Sequence, residues 1–280
     1  MEQNDRYIPG VPCWINTTQP DPDKGAAFYA ELFGWELENR LPSGSPDKYY
    51  VARIRGEDVG AVGSQPEGAT GAAVWNTYVW VEDADETTAK VRAAGGAVLR
   101  EPFDVAEAGR TAAFTDPEGA AFHVWQARKH RGAAVVNEHG SLNFNNLSTR
   151  DLAGAQAFYG AVFGWEVIHD SFWAMPGYGD FLERRNPGMR AGMVEMGAPE
   201  RFEDVVASVT VAPDDEPHWG VTFAVDDADA VAARAAELGG TVVVPPFDVP
   251  WVRMTIVRDP QGATFTAAKF MPENKDPAAR

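Results

Sequence analysis

Ala27-Phe28-Tyr29-Ala30-Glu31-Leu32-Phe33-Gly34-Trp35-Glu36 recurs as Ala157-Phe158-Tyr159-Gly160-Ala161-Val162-Phe163-Gly164-Trp165-Glu166. The surroundings recur in the same order. Val81-Glu82-Asp83-Ala84-Asp85 returns as Val225-Asp226-Asp227-Ala228-Asp229, and Pro102-Phe103-Asp104-Val105 as Pro246-Phe247-Asp248-Val249. Asp116-Pro117-Glu118-Gly119-Ala120 returns as Asp259-Pro260-Gln261-Gly262-Ala263. Matched blocks in one order are the signature of an internal duplication.

Within each repeat the pattern predicts a βαβββ module used twice. Val11 to Thr17 reads as a strand. Asp21-Pro22 supplies a cap and a first-turn proline for a helix, with Phe28 and Leu32, and Tyr29 and Phe33, on one buried stripe. Gly34 ends that helix. Strands are expected at Tyr49–Ile54, Val59–Val62 and Trp75–Val81, then a helix at Asp83–Ala94 closed by Gly95-Gly96. Ala97–Leu99, Thr111–Phe114 and Ala121–Trp125 complete the repeat, with a turn at Asp116-Pro117-Glu118-Gly119. This makes residues 10–126 a first domain, 127–139 a linker without periodicity, and 140–270 a second domain. The repeat offset grows from 130 at Phe28/Phe158 to 144 at Asp83/Asp227, so roughly fourteen residues are added. The added length falls between Ser171 and Glu216 and holds Trp173 and Tyr178.

Bulk properties narrow the function. The chain has 280 residues, enough for two ordinary cores, and a formal net charge of −17. That charge argues against a nucleic-acid or anionic-membrane partner, since both need a basic face. Its single cysteine, Cys13, sits in an apolar strand-like run and reads as a buried thiol rather than a nucleophile. No signal peptide or bilayer-spanning run is seen, which gives a cytoplasmic expectation.

The ordered set, seen twice, resembles the vicinal oxygen chelate superfamily, also called the glyoxalase, bleomycin-resistance and dihydroxybiphenyl-dioxygenase superfamily. The motifs that carry the resemblance are Asp21 with Phe28-Tyr29 and Phe33-Gly34-Trp35, then Val81 to Asp85, then Asp116-Pro117-Glu118-Gly119. The chain looks closest to two-repeat actinobacterial members labelled glyoxalase-like or hydroxylase. The resemblance implies an α+β fold: a tandem duplication of a domain made of two βαβββ modules, whose curved sheets surround a cup. In metal-dependent members His, Glu or Gln on the cup strands hold a divalent ion that chelates two neighbouring oxygens. Carried over position by position, those ligand sites fall on Trp14, Asn76 and His123 in the first repeat and on Phe144, Gly220 and Thr266 in the second. Only His123 is an ordinary ligand, so a divalent metal is disfavoured and no cofactor is expected.

If those positions face the cup, period-two alternation brings their neighbours with them. The first cup then offers Trp14, Asn16, Asn76, Tyr78, Trp80, His123 and Trp125, an aromatic box with a few polar groups. The second offers Phe144, Asn146, His218, Thr222 and Thr266, with Trp173 and Tyr178 on an added loop able to close over it. Flat aromatic ligands stack on such walls while amides and imidazoles orient them.

The same aromatics also suit a filled core, and His123 suits a structural hydrogen bond. The leading expectation is a metal-free binder of an aromatic or polyketide-like compound, for sequestration or self-resistance. The alternative is a glyoxalase-like tailoring enzyme of secondary metabolism (a lyase, isomerase or hydroxylase- or dioxygenase-like protein). In that case His123 is acid or base or a metal ligand, with Asn76 or Tyr78 polarising a carbonyl. A protein-interaction module with filled cups is the third. The expected partner is a small hydrophobic or aromatic molecule, with no nucleic acid and no membrane, in a monomer or homodimer.

Overall fold

A computed structural model describes residues 6–275. The first repeat runs β1 (Pro12–Gln19), α1 (Pro22–Phe33), β2 (Glu36–Asn39), β3 (Tyr49–Ile54), β4 (Glu57–Ser64), β5 (Val74–Trp80), α2 (Ala84–Ala93), β6 (Ala97–Val105), β7 (Gly109–Thr115) and β8 (Ala121–Ala127). The second runs β9 (Ser141–Thr149), α3 (Leu152–Phe163), β10 (Glu166–Ile168), β11 (Phe172–Ala174), α4 (Tyr178–Arg185), α5 (Met189–Met196), β12 (Val205–Val211), β13 (His218–Ala224), α6 (Ala228–Glu237), β14 (Thr241–Val249), β15 (Val252–Arg258) and β16 (Thr264–Phe270). This is the α+β pattern of paired βαβββ modules in each repeat. Each repeat forms one open eight-stranded sheet, ordered β2-β3-β4-β1-β5-β8-β7-β6 and β10-β11-β12-β9-β13-β16-β15-β14.

Local chemistry explains the helix ends. Asp21 accepts from the backbone N–H of Lys24, and Asp151 accepts from that of Gly154. Gly34 and Gly164 close the same helices with φ of 69° and 76°, a conformation that penalises a Cβ. Strand β6 outruns the predicted Ala97–Leu99 because register shifts between Val98 and Arg100 and between Arg100 and Phe103 carry it past Pro102. A residue without an N–H is tolerated at such a bulge. Strand β14 uses the same device around Pro245 and Pro246.

The added length of the second repeat is helical. It forms α4 and α5, followed by a one-turn 3₁₀ segment at Phe202–Asp204. No helix or strand occurs from residue 128 to 140. No helix among the described residues is long and apolar enough to cross a membrane.

The compact units of the chain are not consecutive segments. One comprises the residues up to Cys13, Tyr78–Gly132 and Asn145–Trp219; the other comprises Trp14–Thr77, Ala133–Phe144 and Gly220 onward. Each therefore takes its strand–helix–strand aromatics from one repeat and its second module from the other. In the first unit Phe122 packs on Phe158, Tyr159 and Phe163 at ring-centroid distances of 6.0, 5.8 and 5.9 Å. In the second, Tyr29, Phe33 and Trp35 pack with Trp75, Phe223 and Phe265. Burying each such ring contributes roughly 1.5–3 kcal/mol.

Candidate functional site

In the unit that holds Tyr78–Gly132, alternation along β5 and β8 separates core from candidate site. Val79, Phe122 and Val124 are buried on the helix side. Tyr78 and His123 point to the opposite face and are half-buried. They are register partners across the parallel β5–β8 pair, and their rings stack 4.6 Å apart at 29°. Nδ1 of His123 is closed off from solvent and has no hydrogen-bond partner among the described residues. Burial, helped by the nearby Arg100 guanidinium, lowers the His123 pKa to about 4, so the imidazole is neutral at physiological pH.

Around this pair the face is extended by two more strands. Ala113 of β7 pairs with His123, and Arg100 of β6 pairs with Ala113. The Arg100 guanidinium lies 3.6 Å from the Phe103 ring centroid. Trp80 and Trp125, each 7% exposed, are covered. Trp80 stacks on Tyr7 at 6.0 Å, and Trp125 donates from Nε1 to the His130 carbonyl at 2.9 Å.

The other predicted residues of the first repeat lie in the second unit. Trp14 donates from Nε1 to the Tyr49 hydroxyl at 3.2 Å, and Asn76 donates to Asn16 at 3.1 Å. Burial pushes the Tyr49 hydroxyl up to about 12, so it stays protonated. This is a satisfied amide–indole–phenol network.

The second repeat's residues are dispersed. Asn146 donates to the hydroxyls of Ser208 (2.9 Å) and Thr210 (3.2 Å). Thr222 and Thr266 are register partners, and Phe144 is half-buried. His218 is exposed and meets the Glu216 carbonyl. His169 is also exposed, against the Glu200 carbonyl, so the two histidines hold separate backbone groups. Trp173 does not cover a cup face: it is fully buried, edge-on to Tyr159 at 5.4 Å and beside Trp165 at 5.8 Å. Tyr178 stacks on Phe181 within α4.

The Glyoxalase/Bleomycin resistance protein/Dioxygenase superfamily model matches residues 14–124 and 141–266. The chain belongs to this superfamily. It is 38% identical over 276 residues to CFP32 of Mycobacterium tuberculosis, provisionally named a glyoxylase, covering 98% of this chain and 100% of that one. It is 34% identical over 277 residues to the anthracycline biosynthesis protein DnrV of Streptomyces peucetius, covering 95% of each. Among solved structures, the Mn(II)-bound glyoxalase of Novosphingobium aromaticivorans shares the fold at 15% identity with a TM-score of 0.58 over 93% of this chain and 82% of that one. The 2,3-dioxygenase LapB of Pseudomonas sp. KL28 does so at 14% with a TM-score of 0.59 over 94% and 93%.

A chelated metal of the superfamily's kind does not fit the residues present. Trp14, Asn76 and His123 supply one imidazole, while Phe144, Gly220 and Thr266 supply no side chain that ordinarily binds a transition metal. Among the described residues no three of His, Cys, Asp and Glu come close enough to hold an ion.

Sequence reasoning named His123 and Tyr78 on this face and did not name Arg100 and Ala113, which share their register row. The signal was available in the repeat comparison, where Arg100 stands opposite Val244 and Ala113 opposite Ile256.

Proposed function

We propose that the protein binds an oxygenated, fused-ring aromatic small molecule on the β5–β8 face. The observation that carries this reading is His123: a neutral imidazole stacked on Tyr78, with a buried ring nitrogen that no group among the described residues satisfies. A buried polar group without a partner costs free energy, roughly 1–3 kcal/mol, which a ligand oxygen at the ring relieves. Tyr78 supplies an adjacent π surface. The relatedness to DnrV supports the ligand class, since anthracyclines are oxygenated fused-ring aromatics.

Proton transfer by His123 is the second reading. A pKa of about 4 leaves the imidazole unprotonated but makes it a weak base near neutrality. That balance favours holding a ligand over activating it.

Titration with 1,8-dihydroxyanthraquinone, followed by tryptophan fluorescence, tests the reading. Saturable quenching that weakens about tenfold in His123→Ala is the expected result, equivalent to losing one buried hydrogen bond. Unsaturable quenching, or the same Kd in both proteins, would refute it.

A further inference from the structure

The two repeats provide an internal comparison. Transverse to the strands, the first repeat places Arg100, Ala113, His123 and Tyr78 in one register row. The corresponding row of the second repeat is Val244, Ile256, Thr266 and Thr222. The backbones match even in their irregularities: Arg100 and Val244 are each flanked by two register shifts. What differs is chemistry. A cation, an imidazole and a phenol stand where the second repeat has one aliphatic and two hydroxyls. The small Ala113 stands where the second repeat has the larger Ile256.

Arg100 is unusual for so acidic a chain. Its guanidinium is exposed and rests on Phe103, with no carboxylate partner among the described residues. Arg110 and Arg128, nearby in the same module, both pair with Asp104. Bulges on either side re-aim a strand residue, and here they bracket a cation that faces no acid. Arg100 and His123 sit two strand spacings apart, about 9–10 Å. Only the methyl group of Ala113 stands between them on the row.

Resting on the binding reading above, we infer that this row seats an acidic aromatic. Arg100 takes its anionic oxygen, the ring system lies over Ala113, and His123 meets an oxygen on the opposite edge. The ligand class is thus an enolate- or phenolate-bearing quinone or a related planar anion. The second repeat's equivalent row, filled by Ile256 and lacking the cation, does not serve this ligand. Arg100 sets specificity and Ala113 provides the space.

The test is calorimetric titration at pH 7.5 with 2-hydroxy-1,4-naphthoquinone, an anion at that pH, and with its neutral O-methyl ether. Wild type, Arg100→Gln, Ala113→Ile and Ile256→Ala are compared, with circular dichroism as the check on folding. The hydroxyquinone should bind about tenfold or more tightly than the ether, the size of one charge-assisted contact. Arg100→Gln should erase that preference, bringing the hydroxyquinone down to the ether's affinity. Ala113→Ile, which installs the side chain the other repeat already carries, should abolish binding of both. Ile256→Ala should change neither.

Equal binding of the two compounds, unaffected by Arg100→Gln, would overturn the anion assignment and leave the aromatic reading standing. Unaltered binding in a folded Ala113→Ile would overturn the location. Failure of wild type to bind either compound would overturn both this inference and the reading beneath it. Arg100 is exposed, so Arg100→Gln keeps the test decisive should Ala113→Ile not fold.

Discussion

Tyr159 donates its hydroxyl to the buried carboxylate of Asp116 at 3.0 Å, although the two belong to different repeats and lie 43 residues apart. Tyr29 makes the same bond to Asp259 at 2.9 Å across 230 residues. In each case a tryptophan indole donates to the tyrosine oxygen: Trp219 at 2.8 Å and Trp75 at 3.1 Å. The Asp-Pro-x-Gly turn thus anchors the helix of the opposite repeat, besides capping its own backbone at Glu118 and Ala120.

Tyr159→Phe should therefore destabilise the protein by about 1–3 kcal/mol, because a buried carboxylate loses a donor that water cannot replace. Thermal unfolding should show it as a drop of roughly 2–4 °C per kcal/mol. Arg110→Ala removes a two-point contact to Asp85 (2.8 and 3.0 Å), but that contact faces solvent and should shift Tm far less.

His123 makes stability depend on pH in a defined window. Its folded pKa of about 4 lies below the ordinary 6.5, so between those values the unfolded chain binds a proton that the folded chain does not. The contribution is complete above pH 6.5 and is lost as pH falls towards 4, by at most about 3 kcal/mol. Denaturation curves of His123→Gln at pH 7.5, 5.5 and 4.5 should be flatter with pH than those of wild type over this interval. Equal slopes would show that His123 does not stay neutral.

Cys13 is fully buried, and burial pushes its thiol pKa up. A thiol reagent at pH 8 should leave the native protein unmodified and react with one equivalent per chain in denaturant.

The indole Nε1 of Trp35 donates to the Gly140 carbonyl at 2.8 Å, and that of Trp165 donates to the Gly10 carbonyl at 2.8 Å. Both glycines have positive φ, and a Cβ at Gly140 would sit 3.0 Å from the Phe33 Cβ. Trp35→Phe should cost about 1–2 kcal/mol for the lost bond. Gly140→Ala should cost at least as much through the strained backbone, as urea unfolding would report.

Helix limits were legible because caps are local chemistry: Asp21, Gly34, Asp151 and Gly164 act through atoms within one turn. The face carrying Tyr78 and His123 was legible because alternation is local too. The partnership of Tyr159 with Asp116 was not. The two repeats have nearly the same apolar pattern, so either partner satisfies the pattern equally well, and the choice rests on packing far apart in sequence. The short helices α4 and α5 were missed because both begin at a glycine with positive φ, which offers no capping side chain; their first-turn N–H groups at Gly179 and Arg190 are met instead by Asp204 and Glu183. Trp173 was read as a lid residue because a three-residue strand is too short for alternation to assign its face.

The composition of the compact units separates what was copied from what folds. Duplication acted on a continuous stretch, yet neither compact unit can be encoded by one continuous stretch. A nick anywhere in 128–140 would leave two peptides that each hold part of both interiors, so they would stay associated until the whole fold was lost. Half-length versions of this chain have no complete interior of their own, and would have to find it in a second copy of themselves.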